Sequence, residues 1–283
     1  MNVKMRALKV VRLTVVAVVA AALLVACVRN QPDAAPGATT SPAGSTRPTL
    51  SASSAAPPAA ATSPARTAQP TAIPASLRGK DLTLIPTTRK IVALTFDAGA
   101  NADGVASILG ALERERVPAT FFLTGDFVRR HPEAARSMRG YRLGNHTMTH
   151  PHLPALTDAQ LRAEVVDAQA AIVSATGADP RPWFRFPFGD RSTGTIEKIN
   201  ALGYVAVRWT VDSLGWQGLS KHTAASVTAR VLDAATPGQI VLMHAGSNPE
   251  DGSTLDADAL PAIIDGLQAR GYTFVTLDAL LTS

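Results

Sequence analysis

The feature that most constrains this chain is an alternation that begins near residue 90. Short runs that are apolar almost throughout, such as "KIVALTF" (90–96), "PATFFLTG" (118–125), "YVAVRWT" (204–210) and "GQIVLMH" (238–244), alternate with longer amphipathic stretches. A strand with one wet face would alternate apolar and polar residues, whereas a strand apolar on both sides must be covered on both sides. Strands of this kind separated by helices imply a parallel sheet with its crossovers outside. "YRLGNH" (141–146), "WFRFP" (183–187) and "YTFVTLD" (272–278) bring the expected count to about seven strands.

Between them the spacing predicts a helix over 103–117, with Val105, Ile108, Leu109 and Leu112 on one face and Asp103 as N-cap. One helix is expected over 126–138 despite Pro132, and a long one over 156–176 from a Thr157/Asp158 cap. Others are expected over 193–203, closing on Gly203, over 223–235 and over 255–271. No GxGxxG or Walker sequence follows any strand, so a nucleotide-binding open sheet has no support.

A barrel is favoured by what stands at the strand ends, where parallel α/β folds gather their chemistry. The first strand ends in Asp97 and the third in "GNHTMTHPHL" with His146, His150 and His152. The fourth gives Arg185 and Asp190, the fifth "TVDSLGW" with Asp212 and Trp216, and the sixth His244. Four of the chain's six histidines fall at these ends. The spacing of His146 and His150 lets two imidazoles meet one divalent metal; the pair in isolation would read as solvated loop histidines. His244 is either a general acid or a core histidine bonded to a carbonyl. Arg185, set between aromatics, needs an acidic partner, Asp97 or Asp212, whether catalytic or structural. Trp216 either walls a pocket or is core.

The N-terminus carries Lys4, Arg6, Lys9 and Arg12 ahead of an apolar stretch, Leu13 to Ala26, that is short for a membrane span. It ends in "LVAC", and Cys27 is the chain's only cysteine, which excludes an intrachain disulfide. Residues 1–26 resemble a bacterial lipoprotein signal, after which Cys27 would be lipidated and anchor the protein to the membrane. A plain signal peptide or a retained anchor helix are the alternatives, and all three place the remainder outside the cytoplasm. Without the first 26 residues the formal charge of +5 falls almost to neutrality, which removes the case for nucleic-acid binding. Residues 31–76 hold nine of the twenty prolines and no aromatic residue. Such a segment cannot bury enough apolar surface to offset its ordering entropy. Residues 27–76 are therefore read as a tether, whose low-complexity part, 31–76, reaches on the order of 140 Å at about 3.1 Å per residue when fully stretched. The folded domain is expected over 77–283 and is expected to act as a monomer.

The strand-end residues resemble the polysaccharide deacetylases of carbohydrate esterase family 4, the NodB-homology domain, over roughly residues 90–280. "TFDAG", "HTMTH", "RFPFG", "DSLGW" and "LMH" stand in order for the family's five motifs. The resemblance implies a distorted (β/α) barrel, the NodB-like deacetylase barrel. It implies Asp97 as general base, His146 and His150 as ligands of a divalent metal (zinc, or cobalt or manganese), and Arg185 holding the base in its working state. It further implies the Phe188 N–H as an oxyanion donor, Trp216 and Leu242 as walls of the acetyl pocket, and His244 as general acid. The implied substrate is an N-acetylated, less often O-acetylated, polysaccharide. For a tethered wall enzyme that is peptidoglycan first, with chitin oligomers and acetylated xylan as alternatives.

Two positions depart from the family pattern. Ala98 stands where the family has a second aspartate, the third metal ligand, and Gly215 where it has an aspartate that orients the acid histidine. Three readings follow: a substitute ligand from Asp97, Asn101 or Asp103; weak binding with low or unusual activity; or a glycan-binding pseudoenzyme. Asp212 is the expected substitute for the missing orienter of His244.

Overall fold

The computed structural model describes residues 73–282. The signal segment, Cys27 and residues 28–72 of the expected tether lie outside the described residues. Ile73 and Leu77 are buried in an apolar cluster, so the described packed chain includes residues before the expected boundary at 77.

The strands are β1 (Asp81–Leu82), β2 (Ile91–Ala98), β3 (Ala119–Leu123), β4 (Arg142–Asn145), β5 (Trp183–Phe184), β6 (Val205–Val207), β7 (Val211–Asp212), β8 (Gln239–His244) and β9 (Thr273–Phe274). The helices are α1 (Val105–Glu115), α2 (Gly125–Arg130), α3 (Pro132–Ser137), α4 (Asp158–Thr176), α5 (Thr193–Ala201), α6 (Ala224–Asp233) and α7 (Leu255–Ala269). One sheet runs β1-β6-β5-β4-β3-β2-β8-β7, with β9 pairing the start of β2. Every strand pairing in it is parallel. The sheet curls until the chain after β1 meets β8 through an antiparallel bridge, Leu84 to Gln239, and a bond from the Ile85 N–H to the Gly238 carbonyl at 2.8 Å. The result is a distorted barrel closed by irregular chain, as expected.

All eight residues of β2 are buried, as a centrally placed parallel strand requires. Its alternate residues divide between two layers. Val92, Leu94, Phe96 and Ala98 pack outward against the helices, while Ile91 and Ala93 face the barrel interior with Phe122 and Trp183. Phe96 and Phe121 stack with centroids 5.1 Å apart. Replacing either by Ala would cost about 3–5 kcal/mol through lost burial and the cavity left behind.

The seven expected strands are present, and two more, β1 and β7, have two residues each, too short to show a period. "WFRFP" contributes only Trp183–Phe184 to the sheet. The helix expected over 126–138 is two, α2 and α3, divided at His131, whose φ of −130° and ψ of 58° are non-helical. The cause is Pro132, whose ring disfavours the helical conformation in the residue before it and which then opens α3 as its first residue. Asp103 does not cap α1: the cap position is Gly104, with no side-chain cap. A Cβ on Gly104 would come within 2.9 Å of the Ala245 carbonyl, so the start of α1 is fixed by close approach to the end of β8. Thr157 caps α4 as expected, in a reciprocal capping box with Gln160.

Candidate active site

The carboxyl ends of β2, β4, β5, β7 and β8 open onto a cavity of about 680 Å³. Asp97, His146, His150, Phe188, Asp212, Trp216, Leu242 and His244 all line it, and Arg185 lies behind Asp97. Trp209, Phe186 and Ser247 also line it and were not singled out from the sequence. Nothing in their local pattern separates them from core or loop residues.

Asp97 is the centre of one half. Arg185 is fully buried and donates from Nη1 to Asp97 Oδ1 at 2.8 Å, settling which acid partners it. Its other donors reach Thr95 Oγ1 at 2.8 Å and the carbonyls of Arg208 and Val207 at 3.0 and 3.3 Å. Its guanidinium also lies 4.2 Å from the Phe122 ring centroid. The other carboxylate oxygen, Oδ2, is 3.3 Å from His146 Nε2. Burial alone would raise the Asp97 pKa, but the charges of Arg185, His146 and His244 and the Arg185 bond outweigh it, leaving it below the ordinary carboxylate value.

His146 is fixed from its far side, where Nδ1 lies 2.8 Å from the Arg185 carbonyl. Its ring meets that of His150 edge-on, with centroids 4.8 Å apart. Burial pushes both imidazoles toward the neutral form, His150 down to about 4 with help from the neighbouring His146 charge. The loop carrying them is strained: Thr147 and His150 have φ of 71° and 63°. Side chains hold it there. Asn145 Oδ1 accepts from the Thr147 N–H at 2.9 Å, and Glu164 of α4 accepts from the N–H groups of Met148 and Thr149 at 2.9 and 2.8 Å.

Two neutral imidazoles beside a carboxylate are a donor set for a zinc-class ion. Among the described residues no group of three or more His, Cys, Asp or Glu is arranged to hold a metal. Ala98 is buried in the apolar cluster against the helices and does not line the cavity. Asn101 and Asp103, considered as substitutes, are engaged elsewhere. Asn101 Oδ1 accepts from the Ser247 N–H at 2.8 Å and its Nδ2 donates to Ser247 Oγ at 3.1 Å, while Asp103 Oδ2 accepts from the same hydroxyl at 2.6 Å. The three side chains clamp the loop after β2 to the loop after β8.

His244 is the centre of the other half. It pairs with Asp97 in the β2–β8 register, so the two residues stand side by side at the same level of the sheet. Asp212 does not take the place beside the imidazole that the sequence suggests. Its Oδ1 accepts from the Leu214 N–H at 2.9 Å and its Oδ2 from Trp216 Nε1 at 3.4 Å, so it builds the turn that carries the tryptophan. The carboxylate beside His244 is Asp256, in the first turn of α7, with Oδ2 3.5 Å from Nδ1 and accepting from the His244 N–H at 2.8 Å. Burial opposes a charge on His244, but Asp256, then Asp97 and Asp212, outweigh it and raise the pKa above the ordinary histidine value. Asp256 was missed because its only sequence signal, an acid near a helix start, also fits simple dipole complementation.

Phe188, at φ 59°, projects an exposed ring that stacks on His152 at 4.2 Å and meets His150 edge-on at 4.5 Å. His152 itself pairs with Asp190 at 2.8 Å and does not line the cavity. Trp216 is 48% exposed at the opposite wall, 6.4 Å from His244 between ring centroids, and Leu242 is buried beneath.

A family model described as polysaccharide deacetylase matches residues 85–207. A chitooligosaccharide deacetylase of a Bradyrhizobium strain is 37% identical over 67% of this chain and 90% of its own length. A peptidoglycan-N-acetylglucosamine deacetylase of Bacillus cereus is 31% identical over 69% of this chain and 70% of its own. Among solved structures, a CE4-family pseudoenzyme from Bacillus anthracis superimposes with a TM-score of 0.62 at 28% identity, covering 68% of this chain and 66% of that one. Matching motifs, barrel and relatives agree that this chain belongs to the polysaccharide deacetylase family, carbohydrate esterase family 4.

Proposed function

We propose that the protein removes N-acetyl groups from amino sugars of an extracellular glycan, most directly peptidoglycan. The observation that carries the reading is the Asp97–His244 pair. Two titratable groups stand in register on adjacent strands, at one cavity, with pKa values displaced in opposite directions. That is the arrangement by which a site keeps one base ionised and one acid protonated in the same pH range.

In this reading Asp97, held ionised by Arg185, takes the proton of the attacking water. The Phe188 backbone amide, which makes no hydrogen bond among the described residues, donates to the developing oxyanion. Trp216 and Leu242 enclose the acetyl methyl, and His244 protonates the departing amine. His146 and His150 would hold a divalent cation of the zinc class. When bound, such an ion supplies Lewis-acid polarisation and acidifies water.

Supporting the assignment to peptidoglycan are the named activity of the Bacillus cereus relative and the export signal with Cys27 as a lipid attachment point. Growth with an alkyne-labelled fatty acid tests the anchor, since Cys27→Ala should abolish labelling. The activity is tested by acetate release from N-acetylglucosamine oligomers and from peptidoglycan, with Zn²⁺, Co²⁺ or Mn²⁺ supplied in turn. A second reading, a glycan-binding pseudoenzyme, is favoured by Ala98 and by the Bacillus anthracis structure. Glycan binding with no acetate release under any metal would select it.

A further inference from the structure

The loop after β7 has no carboxylate to offer the acid histidine, because position 215 is glycine. A Cβ built on Gly215 would lie 2.4 Å from Asp256 Oδ1 and 2.7 Å from Asp256 Cγ. The volume that a side chain at 215 would enter is therefore already filled by the carboxylate of Asp256. That carboxylate is only 2% exposed, and its Oδ1 has no hydrogen-bond partner among the described residues. Its Oδ2 faces His244 Nδ1 at ion-pair distance, 3.5 Å, and Nδ1 makes no hydrogen bond among the described residues. A buried carboxylate with an unsatisfied oxygen is costly unless a nearby cation or donor offsets it. The first turn of α7 offsets part of that cost, and the imidazole supplies the rest.

We propose that Asp256 is the positioning residue for His244, delivering from α7 the orienting carboxylate that the β7 loop lacks at Gly215. Asp256 touches neither water nor glycan; it fixes the imidazole so that Nδ1 carries a proton and Nε2 faces the cavity. It also explains why position 215 is glycine here, since any side chain there would displace Asp256. Asp97 and Asp212 are the other charged groups that bear on His244. Asp97 is committed to Arg185, and Asp212 to Leu214 and Trp216, which leaves Asp256 as the one carboxylate placed at Nδ1.

The inference rests on His244 acting as general acid, so its test has two readouts. Turnover is measured on N-acetylglucosamine oligomers with zinc supplied, using the full chain. The tautomer of His244 is read from ¹⁵N-imidazole spectra, which report the geometry even if no acetate is released. Asp256→Ala should lower kcat at least about tenfold with KM within about threefold, and should shift the His244 signals away from a hydrogen-bonded Nδ1–H. Asp256→Asn keeps an acceptor for the His244 N–H and should also lower kcat while leaving the thermal transition in place. Adding Gly215→Asp to Asp256→Ala should recover turnover and the Nδ1–H signal. In that background the closest remaining obstacle is the Asp256 backbone nitrogen at 3.0 Å, which a shift of a few tenths of an ångström relieves. Unchanged His244 signals and kcat in both Asp256 variants would overturn the proposal, as would folded single variants that Gly215→Asp fails to rescue. Silent turnover with the expected spectral changes would instead count against the deacetylase reading alone.

Discussion

The two halves of the cavity are built to different standards. Around Asp97, an arginine spends its donors on a buried carboxylate, a buried threonine and two carbonyls, of Val207 and the half-buried Arg208. Around His244, the ring is 30% exposed, its partner stands 3.5 Å away, and one oxygen of that partner is unsatisfied. The family model matches residues 85–207, which contain the first half except the Arg208 carbonyl and none of the second. The difference teaches that the Asp97 side is built into the fold's framework, while the His244 side is a looser attachment held from the next helix.

The sharpest way to break this contrast is Arg185→Met. It should abolish acetate release and cost about 3–5 kcal/mol by denaturant unfolding, because the buried Asp97 loses its partner. If stability holds, the base half is not the framework described. Asp97→Asn comes next, with turnover down about 10²–10⁴-fold and the loss lying in kcat. His244→Gln should lower turnover by a similar factor yet move stability by less than about 1 kcal/mol, since the ring is partly solvated. A stability loss matching that of Arg185→Met would erase the distinction.

The halves should also loosen at opposite ends of the pH scale in metal-free protein. Asp97 has a folded pKa below 3.8, so its contribution is present above that value and lost as pH falls through the folded one. His150, at about 4 against 6.5, starts the acid-side loss earlier, between those two values. His244 is shifted upward, so its contribution is complete below 6.5 and lost as pH rises through the folded value. Melting curves across pH should show both declines, and His244→Gln should remove the alkaline one only. The smallest effect is expected of Trp216→Ala, a rise of several-fold in KM with little change in kcat, read from the same oligomer assay.

The framework was also the legible part. Apolar runs located the long strands because both faces are covered, and parallel topology then placed Asp97, His146, His150, Arg185 and His244 around one opening. β1 and β7 were invisible because two residues carry no period. The break at His131 was available in principle, since Pro132 restrains the residue before it. Asp256 was not legible at all: it is 12 residues beyond His244 on the next helix, and only tertiary packing brings it under the imidazole. Asp212 attracted the role because it is near Trp216 in sequence, and that nearness is what it is used for.

The Asn101–Ser247–Asp103 clamp has a mechanical consequence. It pins the loop after β2 to the loop after β8, next to the strands that carry Asp97 and His244. The ladder between those two strands already sets the separation of Asp97 and His244, and the clamp carries that coupling into the loops beyond them, like the jaws of a locked vice. The exposed rim, Phe188 on one side and Trp216 on the other, lies outside that clamp. Trading a rim aromatic would reshape the mouth of the cavity without altering the spacing of Asp97 and His244.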